Sequence, residues 1–411
     1  MAAPADAART PLRARGPSYI ATIALGHGIK HWYIAAFAVY LPHIAAEYQL
    51  SDLAVGAVAT LRQVGGGAPN FFVGYVSDRL RGHWHLLLPA SFFFAALFMM
   101  LAGLSPWLWP MVLAIALAGA SAALWHPPAI SMLTTRFPRR KGFVIALHGA
   151  GSGSGETLGP LVVGLVLTGL LADDWRRYTL WSMIPAVLIT GYLYYLLKGG
   201  HQPPPLPADH HREPTRMRDF YGLLRYPAYR SLAYANFSRS FAHFGLLALL
   251  PVYLAEDLGM NSAGVGFHVG LLTALGVLAG PAYGYFSDRI GRRAPIVAAS
   301  VVIFAAMTIM GIVQSGVFFT LALAAVGIFL WSVQDIINAT AMDAAPPGKE
   351  GTVVGFMFTS SFVGAIIAPG LEALAVTLFD SRLAMFFLSG AVMAPAAVIL
   401  ALAPLRRAGQ A

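Results

Sequence analysis

The sequence predicts an all-α integral membrane protein of twelve transmembrane helices, built as two related halves of six. Three observations lead to this fold class. The chain is 57% hydrophobic and only 11% charged, whereas a soluble domain carries roughly 25% charged residues. A dozen apolar segments follow one another, and the second half repeats residues of the first at a nearly constant spacing. Most of the surface is therefore expected to face lipid.

The apolar segments can be assigned to spans in chain order, because one span needs about 20 mainly apolar residues. The predicted spans are residues 18–46, 52–76, 84–103, 107–134, 142–171, 175–197, 229–257, 261–287, 293–313, 317–343, 351–379 and 381–404. Arg9, Arg13 and Arg15 precede the first span, as basic residues precede a signal peptide. That span contains Lys30 and lacks a small-residue cleavage site. It is therefore predicted to be retained.

Residues 198–228 form the one long polar stretch and contain four prolines between positions 203 and 207. Such a stretch is typical of a linker. The sequence therefore predicts an N-terminal six-helix bundle at residues 1–197, a cytoplasmic linker at 198–228 and a C-terminal six-helix bundle at 229–411.

The basic residues predict the orientation of the chain. The N-terminus, the linker, the even-numbered loops and the C-terminus hold 21 of the 27 Lys and Arg residues, and the opposite loops hold only Arg176, Arg177 and Arg382. By the positive-inside rule, both termini are expected in the cytoplasm, here of a bacterial inner membrane. This asymmetry explains the net charge of +9 without a nucleic-acid partner. We expect a monomer surrounded by lipid.

Composition also excludes several kinds of chemistry. Cysteine is absent, which removes disulfides, thiolate catalysis and cysteine-bound metals. The sequence contains neither an HExxH motif nor a nucleophile paired with a base. We therefore expect no enzyme, no cofactor and no metal.

A shift of 209 or 210 residues aligns the second half with the first. Leu41 and Pro42 fall on Leu250 and Pro251, and the same shift continues in later segments. Matches at one offset indicate a duplication. Two parallel six-helix halves joined by a linker are typical of transporters whose solute site lies between the halves, near the middle of the membrane.

Two loops carry a related motif, GYVSDRLRGH at residues 74–83 and GYFSDRIGRR at residues 284–293. Both resemble the cytoplasmic signature of the major facilitator superfamily, although Arg81 occupies a glycine position in the first copy. This resemblance implies the major facilitator fold, two pseudo-twofold-related six-helix bundles. It also implies a conformational gate made by Asp78, Arg79, Asp288, Arg289 and Arg292. Alternatively, these charges only fix the topology.

The fifth span carries Gly151, Gly155 and Gly159, followed by Pro160. A glycine every fourth residue predicts a close contact with a neighbouring helix. The segment resembles the antiporter signature of the superfamily, with Val163 in place of one glycine. A tight helix contact without influence on the direction of transport is the alternative.

More narrowly, the chain resembles the fosmidomycin resistance branch of drug-proton antiporters. The matching residues are His27, then Trp125-His126-Pro127, then Gly149 to Pro160. Lys30 and His31 stand where the branch tends to be polar or acidic, so its substrate is not carried over.

Ionisable residues deep in spans are costly and are often functional. Lys30, Arg62 and Arg239 are the cations, and Glu156 and Asp335 are the anions. This balance predicts a cavity that favours anionic solutes. Lys30 and Arg239 are related by the repeat, so they are predicted to form a clamp for a carboxylate or phosphonate. The alternative is that Glu156 and Asp335 neutralise them in structural pairs.

Histidines accompany these charges. His27 and His31 share a helical face with Lys30, and His243 shares one with Asn236 and Arg239. These two faces are expected to line the cavity and, with Arg62, to bind the substrate. His126 either contacts substrate or satisfies the kink made by the prolines that follow it.

The ionisable groups in the spans have different predicted roles. Glu156 and Asp335 are the candidates for carrying a proton, with His27 and His31 as lesser ones. His148 and His268 are expected to be structural, and Glu372 is expected to reach the interface.

These features predict a secondary active transporter that exports a small anionic solute or drug in exchange for protons. Uptake by symport or exchange of organic anions remains the alternative within transport. A membrane sensor that does not transport is the alternative outside it.

Overall fold

The apolar segments fold into α-helices, because a backbone in lipid must satisfy its hydrogen bonds within its own segment. The computed structural model describes residues 16–198, 217–346 and 349–403, and within these ranges all regular structure is helical. The helices are α1 (Gly16–Ala35), α2 (Phe37–Glu47), α3 (Asp52–Gly67), α4 (Asn70–Arg79), α5 (Trp84–Leu104), α6 (Leu108–Ala123), α7 (His126–Arg136), α8 (Lys141–Leu170), α9 (Trp175–Leu197), α10 (Met217–Gly222), α11 (Pro227–Val252), α12 (Ser262–Ile290), α13 (Arg293–Val313), α14 (Gly316–Asp343), α15 (Glu350–Phe379) and α16 (Ala384–Leu402). The all-α prediction is confirmed. The N-terminal arginines and most of the predicted linker lie outside the described residues.

Ten helical segments within the described ranges are long and apolar enough to cross a membrane, from Trp84–Leu104 to Ala384–Leu402. The first two predicted spans are helices interrupted in the middle, α1 with α2 at Ala36 and α3 with α4 at Ala68 and Pro69. Pro69 has no N–H to continue the hydrogen bonding of α3. Two interrupted helices and ten continuous segments are consistent with the twelve spans predicted.

Large apolar side chains cover the outside of the helices. Leu170 and Leu278 are each 76% exposed, and Leu402 is 80% exposed. A surface of this kind would associate in water. In a membrane, such apolar side chains contact the lipid tails. The exposure pattern therefore agrees with a membrane protein.

The described chain divides into two compact units. One contains the residues up to Phe37, Arg62–Gly159 and the segment from Gly169 to the end of α9, and its core includes Trp84 and Trp125. The other contains Ala38–Leu61, Pro160–Thr168 and the described residues from α10 onward. Its core packs α11, α13, α14 and α15 together through residues such as Leu232 and Ile337. The bundle boundaries at 197 and 229 stay a prediction.

Helix α8 packs directly against the backbone of α1, as its glycine spacing predicts. A Cβ atom on Gly151 would lie 2.1 Å from the carbonyl oxygen of Ala24, and one on Gly159 would lie 2.9 Å from Cα of Trp32. No side chain fits at these distances. The glycines therefore allow α1 and α8 to approach more closely than any other residue would permit.

The same contact recurs in the second half of the chain. A Cβ on Gly364 of α15 would lie 2.5 Å from the carbonyl oxygen of Phe237 in α11. Gly364 and Phe237 lie 209 residues after Gly155 and Gly28, which make the equivalent contact between α8 and α1. The duplication read from the sequence is therefore visible in the packing.

Candidate functional site

Four histidines and one lysine gather in the first half of the chain. Helix α1 supplies His27, Lys30 and His31, helix α7 supplies His126, and helix α8 supplies His148. The His27 ring stacks on that of His148 with a centroid separation of 3.7 Å. It meets the rings of His31 and His126 edge-on at 4.6 Å and 4.8 Å. Three helices thus bring the predicted site residues together with His148, for which the sequence predicted a structural role.

Lys30 is the charged centre of this cluster. Its side chain is 1% exposed, and its Nζ lies 3.1 Å from Nε2 of His126. An ammonium group has donors only, so Nε2 of His126 accepts the hydrogen bond. His126 opens α7 just after the interruption at Leu124 and Trp125. The side chain is directed at Lys30, which the kink alone would not require.

Three further contacts extend the cluster towards α8. Nδ1 of His27 lies 2.7 Å from the carbonyl oxygen of His148. Nε2 of His27 lies 3.1 Å from Nε2 of His31, and Nδ1 of His31 lies 2.6 Å from Oε1 of Glu156. Glu156 follows Gly155 directly. The close approach of α8 to α1 at Gly155 therefore places the Glu156 carboxylate next to His31.

The cluster has the dimensions of a metal site, but its donors are already in use. Ligand atoms of His27, His126 and His148 all lie within 4.8 Å of one another. However, Lys30 donates to His126, and Nε1 of Trp125 donates to Nε2 of His148 at 3.3 Å. A metal ion would also be repelled by the ammonium of Lys30. We assign no metal here.

Arg62 is held against the first helix. Its guanidinium donates to the carbonyl oxygen of Ile34 at 2.9 Å and to Oε1 of Gln63 at 3.0 Å. It also lies over the ring of Phe37, 4.8 Å from the centroid. Arg62 is half-buried, and its charge lies within electrostatic reach of Glu156.

The second half presents a related set around α11. Asn236 donates through Nδ2 to the carbonyl oxygen of Met357 at 2.6 Å, and both residues lie 209 positions after His27 and His148. Oδ1 of Asn236 accepts a hydrogen bond from Gln334 at 2.8 Å. Gln334 is a polar partner that sequence reasoning missed, although it adjoins the predicted Asp335.

Arg239 occupies the position equivalent to Lys30 and is 7% exposed. It donates through a terminal guanidinium nitrogen to the carbonyl oxygen of Leu330 at 3.3 Å. Asp335 is equivalent to His126, is exposed and lies within electrostatic reach of Arg239. His243, one turn further along α11, packs edge-on against Trp331 at 5.4 Å.

Glu372 differs from its predicted position at the interface. It is 0% exposed, although α15 ends at Phe379, where the sequence predicted the span to end. One oxygen lies 2.5 Å from Oγ of Ser389, and the other has no hydrogen-bond partner among the described residues. A Cβ on Gly245 would overlap this carboxyl group. The sequence prediction was wrong because Glu372 packs against Gly245 of α11 and Ser389 of α16, and this tertiary packing buries it whatever its distance from the end of the helix.

The two signature loops differ in their contacts. In the second copy, Arg292 lies 3.0 Å from Asp288 and 2.5 Å from Asp343, which joins the ends of α12 and α14. In the first copy, Asp78 has no ion pair within the part of the chain that the structure describes. Arg79 and Arg289 lie over Tyr75 and Tyr285 at 5.0 Å and 4.3 Å. The side chain of Arg81 lies outside the described residues.

Arg382 makes the densest ion-pair network of the described chain. In the sequence, this residue indicated only the topology. Its guanidinium contacts Asp52 at 2.7 Å and Glu256 and Asp257 at 2.6 Å each. Burial alone would lower the pKa of Arg382, but the bonds to Asp257, Asp52 and Glu256 outweigh it and raise the pKa above its ordinary value. Arg382 therefore stays cationic at any physiological pH. We call these four residues the Arg382 clasp.

Comparisons with known proteins agree with this architecture. The Major Facilitator Superfamily profile matches residues 23–369 and 232–410. The chain is 26% identical over 336 residues to the multidrug resistance protein MdtG of Klebsiella pneumoniae, covering 78% of this chain and 77% of that protein. It is 23% identical over 377 residues to the membrane sensor protein UhpC of Escherichia coli, covering 84% and 83%.

A solved structure has a similar fold. The inward-facing bacterial homologue of the human lysosomal transporter Spinster superposes with a TM-score of 0.67 at 15% identity, covering 95% of both chains. At this identity the likeness concerns the fold alone. From the profile match and the membrane helices, the chain belongs to the Major Facilitator Superfamily and is an integral bacterial inner-membrane transporter of small molecules rather than an enzyme.

Proposed function

We propose that this protein is a secondary active transporter of a small organic anion, driven by protons and working by alternating access. The observation that carries the proposal is the burial of Lys30, which is 1% exposed on a membrane helix. A cation at such a position costs several kcal/mol. The cations that do occur in membrane helices are therefore usually paired or functional. Its hydrogen-bond partner, His126, accepts through Nε2 and carries no negative charge, so it does not neutralise a cation at Lys30 and leaves that charge for an anion.

Arg239 supports an anion site in the second half. It occupies the repeat position of Lys30, is 7% exposed and donates to a backbone carbonyl. We propose that Lys30 and Arg239 bind the anion, with His27, His31, Arg62, His126 and His243 as neighbouring contacts. Glu156 and Asp335 are the proposed proton carriers.

Export in exchange for protons is the first candidate for the direction of transport, because relatives carry the name multidrug resistance protein.

We further propose two six-helix bundles at residues 1–197 and 229–411 with a cytoplasmic linker between them, both termini in the cytoplasm, and a monomer. The basic residues of the even-numbered loops support this orientation.

Uptake together with protons is the second candidate, and one observation favours it. Glu156 lies beside His31, which neighbours Lys30 on α1. A proton bound at Glu156 would remove negative charge close to the lysine and so strengthen its attraction for an anion. Proton and anion would then move in the same direction.

A flux screen in proteoliposomes tests the proposal. Carboxylates, phosphonates and neutral analogues are offered to the purified protein with and without an imposed proton gradient. We expect gradient-driven accumulation of an anionic solute, and the sign of the gradient distinguishes exchange from symport. Binding of anions without flux of any of them would contradict transport and favour a sensor, the role named for UhpC.

A further inference from the structure

Two neighbouring aromatic rings of the second half each leave a buried nitrogen without a hydrogen bond. His243 on α11 is 6% exposed, and its Nδ1 has no hydrogen-bond partner among the described residues. Nε1 of Trp331 on α14 is also buried and has no such partner in the described part of the chain. The two rings meet edge-on, with a centroid separation of 5.4 Å. Buried polar atoms are nearly always hydrogen-bonded, so two exceptions in contact need an explanation.

The indole of Trp331 is held in place by packing. A Cβ on Gly276 of α12 would overlap Cβ of Trp331 and would lie 2.9 Å from its Cγ. Helix α12 therefore leaves room for this side chain because residue 276 is glycine, and His243 meets the ring from α11. An indole nitrogen donates a hydrogen bond and cannot accept one. What Trp331 lacks is therefore an acceptor.

A buried cation adjoins both rings. Arg239 lies one turn before His243 on α11 and within electrostatic reach of it. Its guanidinium donates to the carbonyl oxygen of Leu330, the residue before Trp331. A guanidinium binds the oxygens of carboxylates and phosphates, and the remaining lone pairs of such a group can accept hydrogen bonds from neutral donors. A cation beside an indole and an imidazole therefore suits an oxyanion.

The neutral donors are peculiar to the second half. A shift of 209 residues relates Arg239 to Lys30, but it places Ile34 and Ala122 at the positions equivalent to His243 and Trp331. The cation is thus shared by both halves, whereas the two rings beside it are not. Their unsatisfied nitrogens therefore do not follow from the packing that the halves have in common.

We propose that Trp331 is a substrate-binding residue, whose indole N–H donates, together with the His243 ring, to the oxygens of an organic oxyanion at Arg239. A neutral imidazole can carry its hydrogen on either nitrogen, so His243 can present a donor to the same group. The presence of an anion at Arg239 rests on the proposed function. Asp335, one turn after Trp331 on α14 and within reach of Arg239, is the competing acceptor within the protein.

Nuclear magnetic resonance of the purified full-length protein in detergent tests this contact. The chain has eight tryptophans, so labelling them with nitrogen-15 gives eight indole N–H signals, and the one missing from Trp331→Phe belongs to Trp331. Propionate, propanesulfonate and propylphosphonate are added in turn, with neutral propionamide as the control. At least one anion should move the Trp331 proton signal downfield, and propionamide should not. No movement with any of the three anions, or equal movement with propionamide, would overturn the proposal.

Two variants distinguish an acceptor on the solute from one on the protein. Arg239→Met should abolish the response of the Trp331 signal, because the anion is no longer held beside it. Asp335→Asn should keep the response. If Asp335→Asn instead moves the signal without any anion and removes the response, the acceptor is the Asp335 carboxylate and the proposal is overturned.

Affinity provides a second measurement, made by calorimetry with the anion that moves the signal. Trp331→Phe keeps the Cβ and Cγ atoms that pack on Gly276 but lacks the N–H, so binding should weaken about tenfold or more. Trp109→Phe, at a position 68% exposed, should bind as wild type does. Wild-type affinity in Trp331→Phe would overturn the role of the N–H. Trp331→Tyr replaces this variant in both measurements if Trp331→Phe does not fold.

Failure of this proposal and failure of the proposed function give different results. An anion that moves the Trp331 signal but is never transported in proteoliposomes contradicts transport alone. Transport of an anion that leaves the signal unmoved contradicts the role of Trp331 alone.

Discussion

Arg382 and Asp52 lie 330 residues apart in the sequence, yet Nε of the arginine is 2.7 Å from Oδ1 of the aspartate. Asp52 begins α3 in the first half of the chain, whereas Arg382 precedes α16 in the second. Glu256 and Asp257, at the end of the span that contains α11, complete the clasp. The clasp therefore ties the ends of helices from both sequence repeats, on the side opposite the signature loops in the predicted topology.

Replacing Arg382 with Gln should loosen this end of the protein. Removal of one cation leaves three carboxylates to repel each other, which we expect to cost about 1–2 kcal/mol and to raise exposure of the buried surface about tenfold. The natural chain lacks cysteine, so a single Val55→Cys, three residues after Asp52 at a position that is 0% exposed, reports opening by thiol labelling. Arg177→Gln, at an exposed pair with Asp174, is the control. Equal labelling in both variants would show that the clasp does not hold this end closed.

Gly155→Ala should destabilise the protein, because the new Cβ would lie 1.9 Å from the carbonyl oxygen of Gly28. Forcing α8 away from α1 is expected to cost about 1–3 kcal/mol. Thermal unfolding in detergent, followed by tryptophan fluorescence, measures the effect. Gly149→Ala is the matched control on the same helix, since its Cβ would meet nothing within 4 Å. A Gly155→Ala melting temperature equal to that of the control would contradict the close contact.

The fold could be predicted from the sequence because the apolar length is visible within one segment and the repeat offset in a comparison of two segments, and neither needs a tertiary contact. The glycine face of α8 was predictable for the same reason. The placement of Lys30, His27 and His31 on one face also follows from helical spacing alone. None of these inferences needs a contact between distant helices.

Contacts between distant helices could not be predicted in the same way. The approach of His148 to His27 and the gathering of three carboxylates at Arg382 depend on tertiary packing. Glu372 was misplaced because its burial depends on packing against Gly245 and Ser389 of other helices. The sequence signal available for the clasp was that Arg382 is one of only three basic residues in loops that also hold Asp52, Glu256 and Asp257.

Removing either proposed anion-binding cation should abolish transport. Lys30→Met and Arg239→Met keep most of the apolar stem of the side chain but remove its charge, so the anion loses a charge-assisted contact of about 1.5–3 kcal/mol. Flux of the anionic substrate in proteoliposomes measures the loss, with Arg177→Met, at an exposed position in the first turn of α9, as the control. Wild-type flux in either variant would eliminate the clamp.

Glu372 should tolerate an amide but not truncation. Glu372→Gln preserves the shape and can keep a hydrogen bond to Ser389, so stability should change little. Glu372→Ala leaves a cavity beside Gly245 and a buried hydroxyl without this partner, which we expect to cost about 2–4 kcal/mol. Melting temperatures of the two variants test this difference. A larger loss for the amide would indicate that the carboxyl group has an ionised partner.

The last prediction concerns the signature aspartates, which we expect to stabilise the conformation closed on the cytoplasmic side. Asp288 already shares Arg292 with Asp343 in this structure, whereas the glycine of the first copy is displaced by Arg81. Asp288→Asn should therefore have the larger effect. Loss of such a pair is worth about 1–3 kcal/mol, enough to shift a balanced equilibrium about tenfold.

A single cysteine in one half of the chain measures the shift in conformation that an aspartate variant in the other half causes. Ile130→Cys lies one turn beyond His126 and reports Asp288→Asn, while Asn338→Cys lies close to one turn beyond Asp335 and reports Asp78→Asn. Faster labelling from the cytoplasmic side is expected in both cases, because each reporter lies towards the predicted cytoplasmic end of its helix. Arg230→Gln, at an exposed position near the start of α11, controls for loss of a surface charge. Unchanged labelling would show that Asp78 and Asp288 fix the topology only.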